Sequence, residues 1–316
     1  VGVEKGDVFH IAVTGDNLFI AGIAYYRGLI KSGATVVRVG SQNTLRHLDL
    51  IKRLKPTGMV AVPSLIARKL CRTDEHGVSV KECGIEKIVL IGDSIRNTDF
   101  SSNPLGDLIE NAFGKTCYST YGITEAQTSF CECRIHQGLH SHPDFILVEI
   151  VDDNGNTLSD GEIGELVLTP LQIEGMPLLR YKTGDVTFKI AAPCPCGRNS
   201  VRIGPILGRK HHKLKVRGVT LFPQTIGNAL FSVKGVVNYQ IEAYTGDDHT
   251  DNIIIRVGSY NNNGDFLASL HEALRANARV TPTVELEHPA EIEKRLFEGG
   301  SRKAITFKDR RFKLYE

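Results

Sequence analysis

Two short segments gather side chains that bind metal. They are CECRIHQGLHSH at residues 131–142, with Cys131, Cys133, His136, His140 and His142, and PCPCGR at residues 193–198, with Cys194 and Cys196. Thiolates and imidazoles are the ligands of tetrahedral zinc, and the two segments together hold more than a closed Cys₃His site needs. A redox pair, or a turn that merely contains thiols, are the other readings of a Cys-x-Cys, and spacing alone leaves all three open. Prolines on both sides of Cys194 restrict the loop and lower the entropy lost in presenting two thiols.

A second chemistry lies in YSTYGITEA, residues 118–126, where Tyr121, Gly122, Thr124 and Glu125 offer an aromatic face, a turn, a hydroxyl and a carboxylate in close succession. Such a set can stack a purine, bond a phosphate oxygen and hold Mg²⁺. A solvated turn with Thr124 as a helix cap is the plainer reading. Asp185, after the glycine of RYKTGD, is placed to accept both hydroxyls of a ribose, as acidic residues do in nucleotide folds. Arg209, in GRKHHKLKVRG, can make charge-assisted bonds to phosphate or ribose. Lys303, beside the glycines of GGSRKAITFKDRR, can bring an ammonium to developing negative charge, although the tail around it is basic and solvation is the simple alternative.

The elements that must carry these residues read as α/β. VFHIAV, ATVVRVG, TGMVAVP and EKIVLIGDS are short β-rich runs, separated by the helix-length stretches NLFIAGIAYYRGLIKSG and NTLRHLDLIKRL and followed by PLGDLIENAFG. That alternation predicts a parallel sheet, with ligands gathering where its strands end. From Phe145 the pattern turns antiparallel, two alternating strands around a turn at Asn154 and Gly155. Past ILGR the remaining strands and helices predict a small α+β domain. The expected division is therefore 1–209 for the large domain and 210–316 for the small one.

Composition bounds the partners. With 38 basic and 36 acidic residues the net charge is +2, which supplies no field for nucleic acid or an anionic membrane. No run reaches the roughly 18 apolar residues of a membrane span. Seven cysteines, an odd number, fit a reducing compartment, so the expectation is a cytoplasmic protein. Cys71, Cys83 and Cys117 stand apart and are expected to be buried small hydrophobes.

Taken in order, GDV, GATVVRVG, VPS, IGDS, YGITEA, GEIGELVLTPL, EGMPLLRYKTGD, CPCGR, ILGR and VRGVTLFP resemble the adenylate-forming superfamily of acyl-CoA synthetases, and within it the phenylacetate-CoA ligase family. The resemblance covers essentially the whole chain. It implies two half-reactions: a carboxylate attacks the α-phosphate of ATP to give acyl-adenylate and pyrophosphate, then the thiol of CoA displaces AMP. It implies a mobile C-terminal domain that rotates between them. By the same resemblance Tyr121 would stack on adenine, with Gly92, Asp93 and Ser94 lining the pocket. Thr124 would contact the α-phosphate, Glu125 would hold Mg²⁺, Asp185 would bind ribose, and Arg209 would sit at the domain boundary. Lys303 would approach the reacting oxygens, and Gly218 would lie near the pantetheine channel. Some members pair a cysteine and the histidine of a following GLH with a later CPCG, which here selects Cys133, His140, Cys194 and Cys196 as ligands of a structural zinc ion. A small carboxylic acid, aryl by family habit, and CoA are the implied partners, and a homodimer is the implied assembly.

Three departures qualify the resemblance. The family's Ser/Thr/Gly-rich phosphate loop would lie upstream of Val1, so the expectation is a chain that begins inside a longer protein; a non-catalytic nucleotide- or acyl-binding remnant is the competing reading. An adenylating enzyme with another acyl acceptor is a further one. His211 stands where the family has an acidic hinge residue, and with His212 it is expected to be an exposed linker residue. VTGDNLFIAG has Asp16, Asn17 and Phe19 where more aromatics would be expected.

Overall fold

The computed structural model describes residues 1–15, 20–40, 44–71, 79–216, 219–246, 251–300 and 304–311. Asp16, Asn17, Phe19, Gly218 and Lys303 lie outside the described residues. The chain divides into two units, Val1–Leu207 and Gly208–Glu316, a division two residues ahead of the one expected after Arg209.

In the first unit, strands β1 (Val8–Ile11), β2 (Thr35–Arg38), β3 (Gly58–Ala61), β4 (Lys87–Ile91) and β5 (Cys117–Gly122) pair in parallel in the order β2-β1-β3-β4-β5. Helices α1 (Ile20–Lys31), α2 (Thr44–Leu54), α3 (Pro63–Lys69) and α4 (Pro104–Phe113) make the crossovers. The central strands read as continuous apolar runs because helices cover the sheet, and Phe9, Ile11, Val60, Val89 and Ile91 pack with Leu29 of α1. Local signals set the ends of α4. Asn103 accepts the Gly106 N–H at 2.9 Å, Pro104 opens the helix and Gly114 closes it at φ 65°. α3 went unread in the sequence because it is short and opens on Pro63.

Past β5 the sheet turns antiparallel through β6 (Ser129–Glu132) and β7 (Leu139–His140). It continues β7-β11-β10-β9-β8, with β8 (Ile146–Val151), β9 (Ile163–Pro170), β10 (Tyr181–Ile190) and β11 (Arg202–Ile203). The expected turn between β8 and β9 is present: Asp152 Oδ1 accepts the Asn154 and Asn156 N–H groups at 2.9 and 2.8 Å.

The second unit holds β12 (Gly208–Arg209), the hairpin β13 (Leu214–Val216) and β14 (Val219–Leu221), and helix α5 (Pro223–Phe231). Strands β15 (Asn238–Thr245) and β16 (Asp251–Gly258), helix α6 (Gly264–Ala278), strand β17 (Thr283–Glu287), helix α7 (Pro289–Leu296) and strand β18 (Phe307–Asp309) complete it. Its four-stranded sheet runs β17-β16-β15-β18 over a core of Ile226, Leu230, Ile241, Ile255, Phe266 and Leu270. β18 falls in the stretch read as a basic tail and pairs in parallel with β15. His212 corrects the linker reading, since it is half-buried with its ring 5.0 Å from that of Phe307. Cys117 is buried as expected, whereas Cys71 and Cys83 are only half-buried.

One buried pair in the first unit makes a testable statement. His10 Nε2 and His47 Nδ1 lie 2.8 Å apart, and burial pushes His10 down to about 3 and His47 to about 4. Both folded values lie below the unfolded 6.5, so the native state binds fewer protons than the unfolded chain as pH falls. Stability is therefore full above pH 6.5 and should drop below it by about 1.4 kcal/mol per pH unit for each histidine, up to about 2.7 for the pair. Urea titrations across this range check the slope, and the H10Q/H47Q variant should flatten it.

Candidate functional site

Three strand ends bring the sulfur and imidazole groups together. Cys133 follows β6, His140 closes β7, and Cys194 and Cys196 sit in the loop between β10 and β11. Their ligand atoms all lie within 4.8 Å of one another. Cys133 Sγ is 3.7 Å from Cys194 Sγ, and Cys196 Sγ is 3.6 Å from His140 Nε2. A tetrahedral zinc ion with ordinary bond lengths requires about 3.8 Å between two sulfurs and about 3.6 Å between sulfur and nitrogen. The residues therefore fit the ion. Both knuckles are turns: the His136 N–H bonds to Cys133 O at 3.0 Å, and the Gly197 N–H bonds to Cys194 O at 3.0 Å. Gly138 has φ 93°, and a Cβ there would come within 2.9 Å of Ile190 and 3.0 Å of the Ile203 carbonyl, so the GLH glycine lets this segment close on β11.

The electrostatics suit ligation. A backbone hydrogen bond from Arg198 holds the Cys196 thiol down to about 6, and burial keeps His140 below its ordinary value and hence neutral. Burial pushes the Cys133 thiol up. Ser200 Oγ lies 3.1 Å from His140 Nδ1, leaving Nε2 for the cluster. The other candidates are engaged elsewhere. Cys131 lies 3.6 Å from Ser129 Oγ, His136 Nδ1 lies 3.0 Å from Glu132 Oε2, and the His142 ring packs beside Phe145.

The nucleotide candidates gather at the carboxyl ends of β4 and β5. Gly92, Asp93 and Ser94 follow β4, Tyr121 and Gly122 end β5, and Thr124 and Glu125 form the single 3-10 turn after it. Ile123, not Thr124, occupies the cap position of that turn, and no side chain caps it. Glu125 is half-buried. Asp93 Oδ2 accepts the Ser64 N–H at 2.9 Å, which ties the IGDS turn to the start of α3. The Tyr121 hydroxyl donates to Asp185 Oδ2 at 2.7 Å, joining two site residues from distant segments.

Asp185 corrects a local expectation. It lies inside the ten-residue strand β10, not after a free turn. The register with β9 breaks there: Lys182 pairs Val167 and Val186 pairs Glu165, so Thr183, Gly184 and Asp185 together face Leu166. This is a β-bulge, and Gly184 at φ 75° allows it.

Behind the site lies a buried charge cluster that the sequence reading missed. Arg96 Nε donates to Glu132 Oε1 at 3.1 Å, Nη2 donates to the Cys117 carbonyl at 2.6 Å, and Nη1 lies 3.1 Å from Glu110 Oε1 and donates to the Ser102 hydroxyl. Glu132 Oε2 also accepts the Ser119 N–H at 2.8 Å. The cluster thus links the connection after IGDS with α4, β5 and the residue just before Cys133. Nothing local in IGDSIRN marks Arg96 as buried. Arg209 belongs to the second unit, exposed in β12.

Among the described residues, no helix is long and apolar enough to cross a membrane. Residues 3–173 match the family described as AMP-binding enzyme. The chain is 35% identical over 245 residues to a phenylacetate-coenzyme A ligase of Thermus thermophilus, covering 76% of this chain and 54% of that protein. It is 28% identical over 266 residues to a phenylacetate-coenzyme A ligase of Escherichia coli, covering 81% and 57%. The chain thus spans about half the length of the curated relatives it matches. Among solved structures it is similar to 2-hydroxyisobutyryl-CoA ligase in the postadenylation state in complex with R3-HIB-AMP, with a TM-score of 0.80 at 21% identity over 98% of this chain and 66% of that one. It is also similar to an anthranilate CoA ligase in complex with anthranoyl-AMP, with a TM-score of 0.64 at 18% identity over 91% and 57%. Both likenesses speak for a shared fold. The match over residues 3–173 and the phenylacetate-CoA ligase relatives make this chain a member of the AMP-binding enzyme family, in the adenylate-forming superfamily.

Proposed function

We propose that this protein carries out ATP-dependent activation of a carboxylic acid, aryl and phenylacetate-like, followed by transfer of the acyl group to CoA. The observation that supports the reading is the Tyr121–Asp185 hydrogen bond where β5 ends, which puts an aromatic side chain and a carboxylate side by side. The names of the curated relatives supply the substrate class. In the first step a carboxylate oxygen attacks the α-phosphorus and the bond to pyrophosphate breaks. In the second the CoA sulfur attacks the acyl carbon and AMP leaves.

The chain's own groups would divide the work. Tyr121 would stack on adenine beside Gly92, Asp93 and Ser94, Asp185 would hold the ribose, and Thr124 would meet the α-phosphate. Glu125 would hold Mg²⁺, which supplies positive charge at the phosphates. Arg209, Gly218 and Lys303 keep the roles the resemblance implies, within a mobile second domain. Cys133, His140, Cys194 and Cys196 would hold a zinc ion whose four protein ligands leave no open position, so the ion is structural. The cytoplasmic setting and the homodimer belong to the same reading.

In a complete protein that carries the phosphate loop, phenylacetate should stimulate exchange of labelled pyrophosphate into ATP; silence there with every carboxylate tried would overturn the enzyme reading. Asp185→Ala should weaken AMP binding by about tenfold, the loss of one charge-assisted hydrogen-bonded contact, as measured by calorimetry on this chain.

A further inference from the structure

We infer that Glu165 and Thr183 are positioning residues for Asp185: their side chains satisfy the backbone of the β10 bulge and so aim the Asp185 carboxylate. The inference rests on the reading of Asp185 as a nucleotide ligand. Across Thr183, Gly184 and Asp185 the β9–β10 ladder is interrupted, and the N–H groups it strands need acceptors. Glu165 Oε1 accepts the Gly184 N–H at 3.2 Å. Thr183 Oγ1 accepts the Asp185 N–H at 3.0 Å while donating its own proton to the Leu166 carbonyl at 2.8 Å. Two side chains thus do what strand pairing does elsewhere.

The placement of Glu165 argues for purpose. It stands on β9, between β8 and β10, pairs Val151 on one side and Val186 on the other, and is 7% exposed. A carboxylate in such a place is expensive to desolvate, and an apolar residue would serve packing alone better. Its bond to Gly184 fixes the peptide just before Asp185, whose Oδ2 then receives the Tyr121 hydroxyl. Side-chain direction at a bulge follows the backbone, so losing either acceptor lets the carboxylate swing away from Tyr121.

A double-mutant cycle tests this, read as the affinity of this chain for AMP by calorimetry with Tm recorded alongside. Glu165→Leu should weaken AMP binding by about tenfold in the parent, the size of one lost charge-assisted bond, and should add nothing in the Asp185→Ala background. Glu165→Gln keeps an acceptor oxygen and should restore near-parental affinity. If Glu165→Leu does not fold, Thr183→Val, which removes the hydroxyl at equal volume, should show the same non-additive loss. Equal losses in both backgrounds, or no loss in the parent, overturn the positioning role while leaving Asp185 as a ligand. Unchanged affinity in Asp185→Ala itself overturns the ligand reading, and the inference with it.

Discussion

Purified protein is expected to carry about one equivalent of zinc, and replacing Cys194 by serine should release it and lower Tm by more than about 10 °C. The four ligands come from three separate connections, after β6, at β7 and between β10 and β11, and their sulfur and nitrogen separations of 3.7 and 3.6 Å fit a tetrahedral ion. Zinc held this way supplies folding free energy directly, on the order of 10 kcal/mol in small zinc domains. Much of that would be lost when a buried thiolate is removed. Cys131→Ser and His142→Ala are the controls: both lie near the cluster in sequence but outside it in space, and each should retain metal and Tm. Zinc content unaffected by Cys194→Ser, or removed equally by Cys131→Ser, would show that the ligand set is wrong.

Arg96→Met should cost about 3–5 kcal/mol, the price of leaving a buried carboxylate without its cation. The Arg96 and Glu132 side chains are 5% and 1% exposed, so water cannot replace the guanidinium. In this background Glu132→Gln should recover a large part of the loss, because it removes the stranded charge while keeping an acceptor for the Ser119 N–H. Urea unfolding of the single and double variants measures both steps. A cost below about 1 kcal/mol for Arg96→Met would mean the cluster behaves like a surface ion pair. The cluster joins the connection after IGDS to the residue before Cys133, so Arg96→Met should also loosen the segment between Ser94 and Asn103 in hydrogen exchange.

Much of the architecture was legible because its signals are local. Asn103, Pro104 and Gly114 mark the two ends of α4. The apolar runs of β3 and β4 announced a buried parallel sheet, and Asn154 with Gly155 announced the turn into β9. α3, α7 and β18 were missed for the converse reason. Each is short, and β18 exists only because β15 offers it an edge. Among five candidate metal ligands in residues 131–142, residue types alone did not separate Cys133 and His140 from Cys131, His136 and His142. The resemblance made that choice, and the strand pairing of β6, β7 and β11 brings the same four ligand atoms together.

The sequence by itself determined the types and order of the longer elements, the change from parallel to antiparallel texture and the motifs that carry the family likeness, because propensity, periodicity and turn chemistry act over a few residues. The tertiary structure decided which of those residues meet. Tyr121 and Asp185 are 64 positions apart, Arg96 and Glu132 are 36 apart, and Cys133 and Cys194 are 61 apart. Their contacts depend on strand order and register. So does the bulge at Asp185: Glu165 and Thr183 become acceptors only where pairing with β9 is interrupted. A hydrogen bond made across a sheet is a property of two segments at once, and neither segment encodes it alone.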